Sequence, residues 1–420
     1  MSQTYGSKIN PNRSLKKSMA LKGNRKSIRL DMVPREVKPG GLLIVKFPSL
    51  ASDDVIVPGS TKLEFDIELE SETDENRTLY PNLARNLIKQ VKIKLGGNDI
   101  FILDDADVYY NFKDAWRPRF IEKQDQGLEL ENVTKLRIGA GDANVNANSG
   151  KDKAIADAYS NKYCIPLDFE MLTEHYPFYP SGLNNQLTFE FKFNDSNAVV
   201  KSTDGDAKYK ISGLTLNYKT LENKHLAEMI RRKIAGRTQF YYERVQRSDF
   251  INFDKSDVAW SIKISQNIRS LKGVLLLFKE DDSNPNSFYN PKIKNTTVTI
   301  EGKPSQLFDG GLNSNEHWDE IKMFFGDSSS EFGAGVAKDL GLYSMTLGKY
   351  LKDNYGLWLD MRSDEDNKSH GSGRKIGQGG GILINIKKTA ETAGGLSCYV
   401  FIVMDAQLNI ENGNFANVQY

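Results

Sequence analysis

The sequence predicts an all-β protein made of two tandem β-sandwiches, with short helices confined to the loops. The stretch Thr61–Glu70 alternates Leu63, Phe65, Ile67 and Leu69 with Glu64, Asp66, Glu68 and Glu70. A period of two puts the apolar side chains on one face of a strand and the carboxylates on the other. Leaving that apolar face in water would cost several kcal/mol at roughly 25 cal/mol per Å², so a second sheet must cover it. The same alternation returns at Leu187–Phe193 and recurs toward the end of the chain. At 420 residues the chain exceeds one ordinary core and suits two domains of about 200 residues each.

Residues 1–40 read as a basic, flexible arm. Arg13, Lys16, Lys17, Lys22, Arg25, Lys26 and Arg29 all precede the first acid, Asp31, with few apolar residues between them. Such a segment buries too little surface to offset its ordering entropy, so it stays mobile until it meets a partner. Two readings stand side by side: an arm that touches an acidic surface, a neighbouring subunit or nucleic acid, and a solvated tail.

The first sandwich is placed at 41–230. Leu42–Phe47 is a short apolar run, and Asp53–Ser60, with Pro58-Gly59, is a turn before the strand at Thr61. Tyr80–Leu87 reads as a short helix. Gln90–Leu95 alternates again, and Gly96-Gly97-Asn98-Asp99 closes a hairpin into Ile100–Leu103. The aromatic-rich Asp107–Arg119 reads as a helix packed on the sandwich. Residues 122–160 lose all periodicity and form a long loop. Strands resume at Tyr163–Phe169, Leu187–Phe193 and Lys208–Leu221, the last with Leu214, Leu216 and Tyr218 on one face.

A helical run over His225–Gly236 marks the boundary, and the second sandwich is placed at 231–420. Its strands are Gln239–Val245, Val258–Ile264 (Val258, Trp260, Ile262 and Ile264 on one face), Val274–Phe278, Thr296–Ile300, Gly356–Met361, Ile382–Ile386 and Leu396–Ile410. Val274–Phe278 is apolar on both faces. Loops at 281–292, 303–335 and 362–381 separate the strands. About eight short strands per half with long irregular connections suit a jelly roll better than a meander barrel, so the fold class is a double jelly roll.

Composition narrows the function. Lys and Arg number 56 against 55 Asp and Glu, which gives no overall reason to expect nucleic acid or a membrane as the main partner. No apolar run approaches the ~18 residues of a membrane span, and the amino terminus lacks the apolar core of a secretory signal. Cys164 and Cys398 are too few for a disulfide framework, suggest a reducing compartment, and read as small core residues.

Catalytic candidates are weak. His175, His225, His317 and His370 lie far apart with no metal-binding spacing. The glycines Gly371, Gly373, Gly377, Gly379, Gly380 and Gly381 lack the spacing of a phosphate cradle and precede a strand, so they read as a loop. Asp360, Asp364, Glu365 and Asp366 suit acid–base work, a calcium ion or, as the commoner case, a solvated loop. Tyr176–Pro180 is an aromatic turn that packs locally or grips a sugar. Together these loops support an alternative function, a carbohydrate-binding or glycan-hydrolysing jelly-roll protein.

Five stretches resemble the double jelly-roll major capsid proteins of Polinton/Maverick elements and adintoviruses, and more distantly the hexon-like capsid proteins of virophages and adenoviruses. They are LIKQVKIKLGGNDIFILDDADVYYNFKD (87–114), IPLDFEMLTEHYPFYPSGLNNQLTFEFKFND (165–195), NPKIKNTTVTIEGKPSQLF (290–308), YGLWLDMRSDEDNKSHGSGRKI (355–376) and TAETAGGLSCYVFIVMDAQLNIENGNF (389–415). The basic arm lies outside the resemblance. The resemblance implies a homotrimer whose six sandwiches make a pseudo-hexagonal block that tiles an icosahedral shell, with no catalytic residue and no cofactor. It also implies penton and minor capsid proteins as partners. The virion capsid is then the location, after assembly inside the host cell. The arm would face the interior, toward genome, membrane or minor proteins.

Overall fold

The computed structural model describes residues 24–31, 36–50, 53–57, 59–70, 78–80, 83–116, 162–167, 183–201, 208–280, 284–305, 308, 310–326, 345–362, 373–377, 381–392 and 394–420. The expected loop at 122–160 and the aromatic turn Tyr176–Pro180 lie outside these residues.

In chain order the first half contains β1 (Asn24–Asp31), β2 (Leu42–Lys46), β3 (Asp54–Ile56), β4 (Lys62–Glu70), β5 (Thr78–Leu79), α1 (Leu83–Asn86), β6 (Ile88–Leu95), β7 (Asn98–Asp104) and α2 (Ala106–Trp116). There follow β8 (Lys162–Pro166), β9 (Leu187–Phe193), α3 (Ser196–Val199), β10 (Val200–Lys201), β11 (Lys208–Glu222) and α4 (Lys224–Ala235). The second half continues with β12 (Arg237–Phe253), β13 (Ala259–Ile264), β14 (Ile268–Glu280), β15 (Ile293–Ile300), β16 (Lys303–Pro304), α5 (Ser314–Ile321), a π-helical turn (Lys322–Gly326) and α6 (Leu347–Asp353). It ends with β17 (Gly356–Asp360), β18 (Arg374–Ile376), β19 (Ile382–Lys388), β20 (Leu396–Glu411) and β21 (Asn414–Gln419).

Two compact units result. Of the described residues, the first takes those up to Ile102, those between Gln124 and Glu243, and Gln407–Gln419; the second takes those from Leu103 to Lys123, Arg244–Ala406 and Tyr420. The first unit holds the sheets β1-β11-β4-β8 and β2-β9-β6-β7, and the second has sheets ordered β12-β20-β14-β17 and β13-β19-β15-β16. The pairs β1–β11, β4–β11, β4–β8, β2–β9, β6–β9, β13–β19, β15–β19, β15–β16, β14–β17 and β14–β20 are all antiparallel.

The two orders are the same order. Taken along the chain, β1, β2, β4, β6, β7, β8, β9 and β11 correspond one to one with β12, β13, β14, β15, β16, β17, β19 and β20, and each pair holds the same place in its sheet. The fold class is therefore as the sequence predicts: two tandem jelly-roll sandwiches, with short helices in the connections.

Each core forms where alternating faces meet. On β4, Leu63, Phe65 and Ile67 are buried, and on β9, Leu187, Phe189, Phe191 and Phe193 are fully buried. Phe47, just past β2, brings the two sheets of the first unit together, with its ring 5.0 Å from Tyr218 and 6.2 Å from Phe189. Trp260 on β13 does the same in the second unit, 5.5 Å from Phe278 on β14. The run Val274–Phe278 is buried on both faces, as its continuous apolar sequence requires.

Long strands need a device to keep their faces consistent. On β11, Tyr209 and Ile211 are buried, and so are Leu214, Leu216 and Tyr218, although the two sets have opposite parity. A bulge between Ser212 and Thr215, with Gly213 at φ +59, inserts the residue that switches the parity. The β6–β7 hairpin turns on two residues only, Gly96 and Gly97, both at positive φ. A two-residue turn of this hand matches the twist of its strands. Its counterpart between β15 and β16 uses Glu301 and Gly302, also both at positive φ.

Several expectations are corrected. Residues 24–31 form β1, paired along their length with β11, so Arg25, Lys26 and Arg29 lie on a strand and not on a mobile arm. The turn expected at Asp53–Ser60 contains the short strand β3, which extends the line of β4 along β11. Val258 precedes its strand and is 50% exposed, whereas Trp260, Ile262 and Ile264 are buried. The loop expected at 303–335 carries α5, opened by a reciprocal cap: the Glu316 amide donates to Asn313 Oδ1 at 3.3 Å and the Asn313 amide to Glu316 Oε2 at 2.7 Å. The loop expected at 362–381 carries β18, and a closing strand, β21, folds back on β20.

Candidate assembly surface

Arg13, Lys16, Lys17 and Lys22 lie outside the described residues. On β1, Lys26 Nζ lies 3.0 Å from Glu222 Oε2 and 3.3 Å from Asp54 Oδ1. The Glu222 hydrogen bond, with help from Asp54, holds the ammonium above its ordinary value despite some desolvation. Arg29 Nη2 lies 3.3 Å from Glu64, which also pairs with Lys62 at 2.9 Å. Partial burial works against the Glu64 carboxylate, but Lys62 and Arg29 outweigh it and keep the carboxyl below the usual range. Both cations are thus answered inside the chain.

The acidic cluster is equally committed where it is described. Asp360, at the end of β17, accepts Arg362 Nε on both oxygens at 3.0 Å and the Arg362 amide at 2.9 Å. The guanidinium lies 5.0 Å over the Phe324 ring. A carboxylate held this way anchors Arg362 just after β17. Asp364, Glu365 and Asp366 lie outside the described residues, as do His175 and His370.

His225 is exposed on α4. His317 on α5 is fully buried. Its Nδ1 lies 2.9 Å from the Tyr355 hydroxyl, and its Nε2 lies 3.4 Å from Thr296 Oγ1. Burial pushes the imidazole down to about 4, so it is a neutral cross-brace. Tyr350 completes the brace by donating to the Gly356 carbonyl at 2.8 Å. Among the described residues no group of three or more His, Cys, Asp or Glu is placed to hold a metal ion. Cys398 is buried, and burial drives its thiol far up, so it acts as an inert core residue. Cys164 lies on β8.

One titratable group escaped the sequence reading. Glu320, next to last on α5, is half-buried, and burial pushes its carboxyl up to about 7, with Asp360 adding like charge and Arg362 pulling the other way. Only the folded positions of α5 and β17 bring these groups together, so no spacing in the sequence signals it.

Among the described residues, β1 and β8, β2 and β7, β12 and β17, and β13 and β16 end their sheets. An edge strand presents unpaired backbone groups to a partner. On β2, Leu43 and Val45 are buried, while Leu42 is 52% and Ile44 41% exposed on the other face. Lys46 and Lys192 stand exposed beside them, and Lys94 closes on Glu190 at 2.7 Å on the same sheet. Two aliphatic side chains on the open face of an edge strand, with a charged surround, fit a contact surface better than a solvated one. The signal was legible: Leu42–Val45 is apolar at every position, more than one covered face needs.

No protein-family model and no curated protein sequence matches the chain. Solved structures do match it. The chain is similar to a component of the PBCV-1 virus capsid at 10% identity and a TM-score of 0.60, over 93% of this chain and 96% of that one. The Faustovirus major capsid protein matches at 8% identity and 0.58, over 93% and 91%. The mavirus major capsid protein matches at 9% and 0.51, over 93% and 89%. At such identities the likeness lies in the fold, and it spans nearly the whole of each chain. The architecture of this chain, both sandwiches included, is the double jelly roll found in viral major capsid proteins.

Proposed function

We propose that the chain is the structural major capsid protein of a virus, associating as homotrimers that tile an icosahedral shell. The observation that carries this is the repeated eight-strand order, which gives one polypeptide two like walls and is matched end to end by the capsid proteins above. Three copies then offer six like walls around one axis, a pseudo-hexagonal block built from three-fold symmetry. The work asked of the molecule is rigidity and edge complementarity, not catalysis. In this reading the open face of β2, with Leu42 and Ile44, supplies contacts between copies. Arg13, Lys16, Lys17, Lys22 and Arg25 face the interior, toward genome, membrane or minor capsid proteins, and penton proteins close the vertices. The sandwiches at 41–230 and 231–420 are the two walls, and the lineage is that of Polinton/Maverick elements and adintoviruses.

Mass photometry and electron microscopy of the purified full chain test the proposal. The expected result is a species of three-chain mass with a hexagonal outline. A protein that stays monomeric at micromolar concentration overturns it.

A further inference from the structure

Several half-buried or buried cations in the second unit have an answer to their charge. Arg362 grips Asp360, Arg247 pairs with Asp105, and Lys279 Nζ donates to the Pro285 carbonyl at 2.8 Å. Lys388 Nζ is also buried without a hydrogen-bond partner, but it lies over the Trp260 ring in the field of Asp257 and Glu391. Arg244 on β12 differs. It is 6% exposed, and its Nε is sealed from solvent without a hydrogen-bond partner. Among the described residues its guanidinium has neither a hydrogen bond nor an ion pair, and its one described contact is the Tyr420 ring, 4.1 Å from Cζ.

A guanidinium taken out of water and left unpaired is costly, and a ring face offsets only part of that cost. The fork of donors fits a planar carboxylate. The surroundings suit a protein partner. Among the described residues β12 ends its sheet, and Tyr420 is 43% exposed beside the guanidinium. Arginine beside an exposed tyrosine ring is a pairing enriched at the energetic centres of protein interfaces. A phosphate backbone or lipid surface would instead call for a field of cations.

We propose that Arg244, with Tyr420 packed on it, receives a carboxylate side chain from a second copy of this chain, so that the ion pair at the β12 edge is completed only on assembly. The inference rests on the self-association proposed above.

Full-length Arg244→Met and Arg244→Lys variants test it, with sedimentation velocity for association and thermal unfolding of the dilute monomer. Arg244→Met should weaken association by about tenfold or more. The monomer's melting temperature should stay level or rise, because an unanswered charge has been removed. Arg244→Lys should recover part of the association, since an ammonium keeps the charge but lacks the fork. An Arg244→Met chain that associates like the wild type overturns the inference, and so does one whose monomer melts lower, because the guanidinium would then serve the isolated fold. Millimolar sulfate that stabilises the wild-type monomer but not Arg244→Met, with association unchanged, identifies a free anion as the occupant and overturns the second-copy source. In all three results the wild type still assembles, so the shell reading survives; a wild type that never associates fails that reading and takes this inference with it.

Discussion

Glu320→Gln should stabilise the folded chain in mild alkali and leave it unchanged in mild acid. The carboxyl is displaced from an ordinary 4.5 to about 7, first by burial and then by Asp360, with Asp319 and Glu316 adding like charge and Arg362 opposing them. At about 1.36 kcal/mol per pH unit that displacement corresponds to ~3.4 kcal/mol. The group is only half-buried, so solvent screening reduces the expected effect to roughly 1–2 kcal/mol. The sign follows from proton counting. Between 4.5 and about 7 the folded chain holds a proton that the unfolded chain has released, so stability falls as pH rises through this window and the loss is complete above it. Glutamine carries no charge to desolvate. Urea unfolding of both proteins at pH 4 and pH 8 should show nearly equal midpoints in acid and a higher midpoint for Glu320→Gln at pH 8. An equal or lower midpoint at pH 8 refutes the reasoning.

Other predictions follow from the same structure. Phe65→Ala, at a fully buried position, should cost about 3–5 kcal/mol in denaturant unfolding, whereas Glu64→Ala loses only partly exposed ion pairs and should stay within about 1 kcal/mol. Gly273→Ala would put a methyl group 2.3 Å from the Trp358 ring and 2.7 Å from the Leu359 carbonyl, and should cost about 1–3 kcal/mol with a matching drop in melting temperature. His317 has its folded value lowered from 6.5 to about 4, so its contribution is whole above 6.5 and is lost as pH falls toward 4. His317→Leu should remove that acid-side slope and cost about 1–3 kcal/mol at neutral pH by removing the imidazole partner of the buried Tyr355 hydroxyl. Leu42→Asp should weaken self-association in sedimentation while leaving the melting temperature within about 2 °C, because Leu42 already faces solvent in the isolated chain.

Much of the fold was legible because its signals are local. Alternation at Leu63–Ile67 and Leu187–Phe193 marks strands with one covered face, and the unbroken run Val274–Phe278 marks one covered on both. Gly96-Gly97 marks a hairpin because two positive φ angles in succession select for it. The site-bearing features are non-local. The strand β1 was hidden by its cations, and only β11 and the acids Asp54, Glu64 and Glu222 make a basic strand stable there. Helix α5 did carry a readable signature, Asn313 followed three residues later by Glu316, which the surrounding Gly, Asn and Asp obscured. Glu320 and Arg244 are defined by what neighbouring elements bring or withhold, and periodicity carries no trace of that.

The matched hairpins show what a repeated strand order makes measurable. At the first turn position the opening sandwich has Gly96, where a Cβ would strike Asn185 at 2.3 Å; its twin has Glu301 at φ +51, whose carboxylate accepts the Gly377 amide at 2.7 Å. One architectural address is thus filled by crowding in one sandwich and by a tether in the other. Exchanging the two dipeptides within a single polypeptide would compare those solutions under identical solvent and temperature, an internal replicate that few proteins provide.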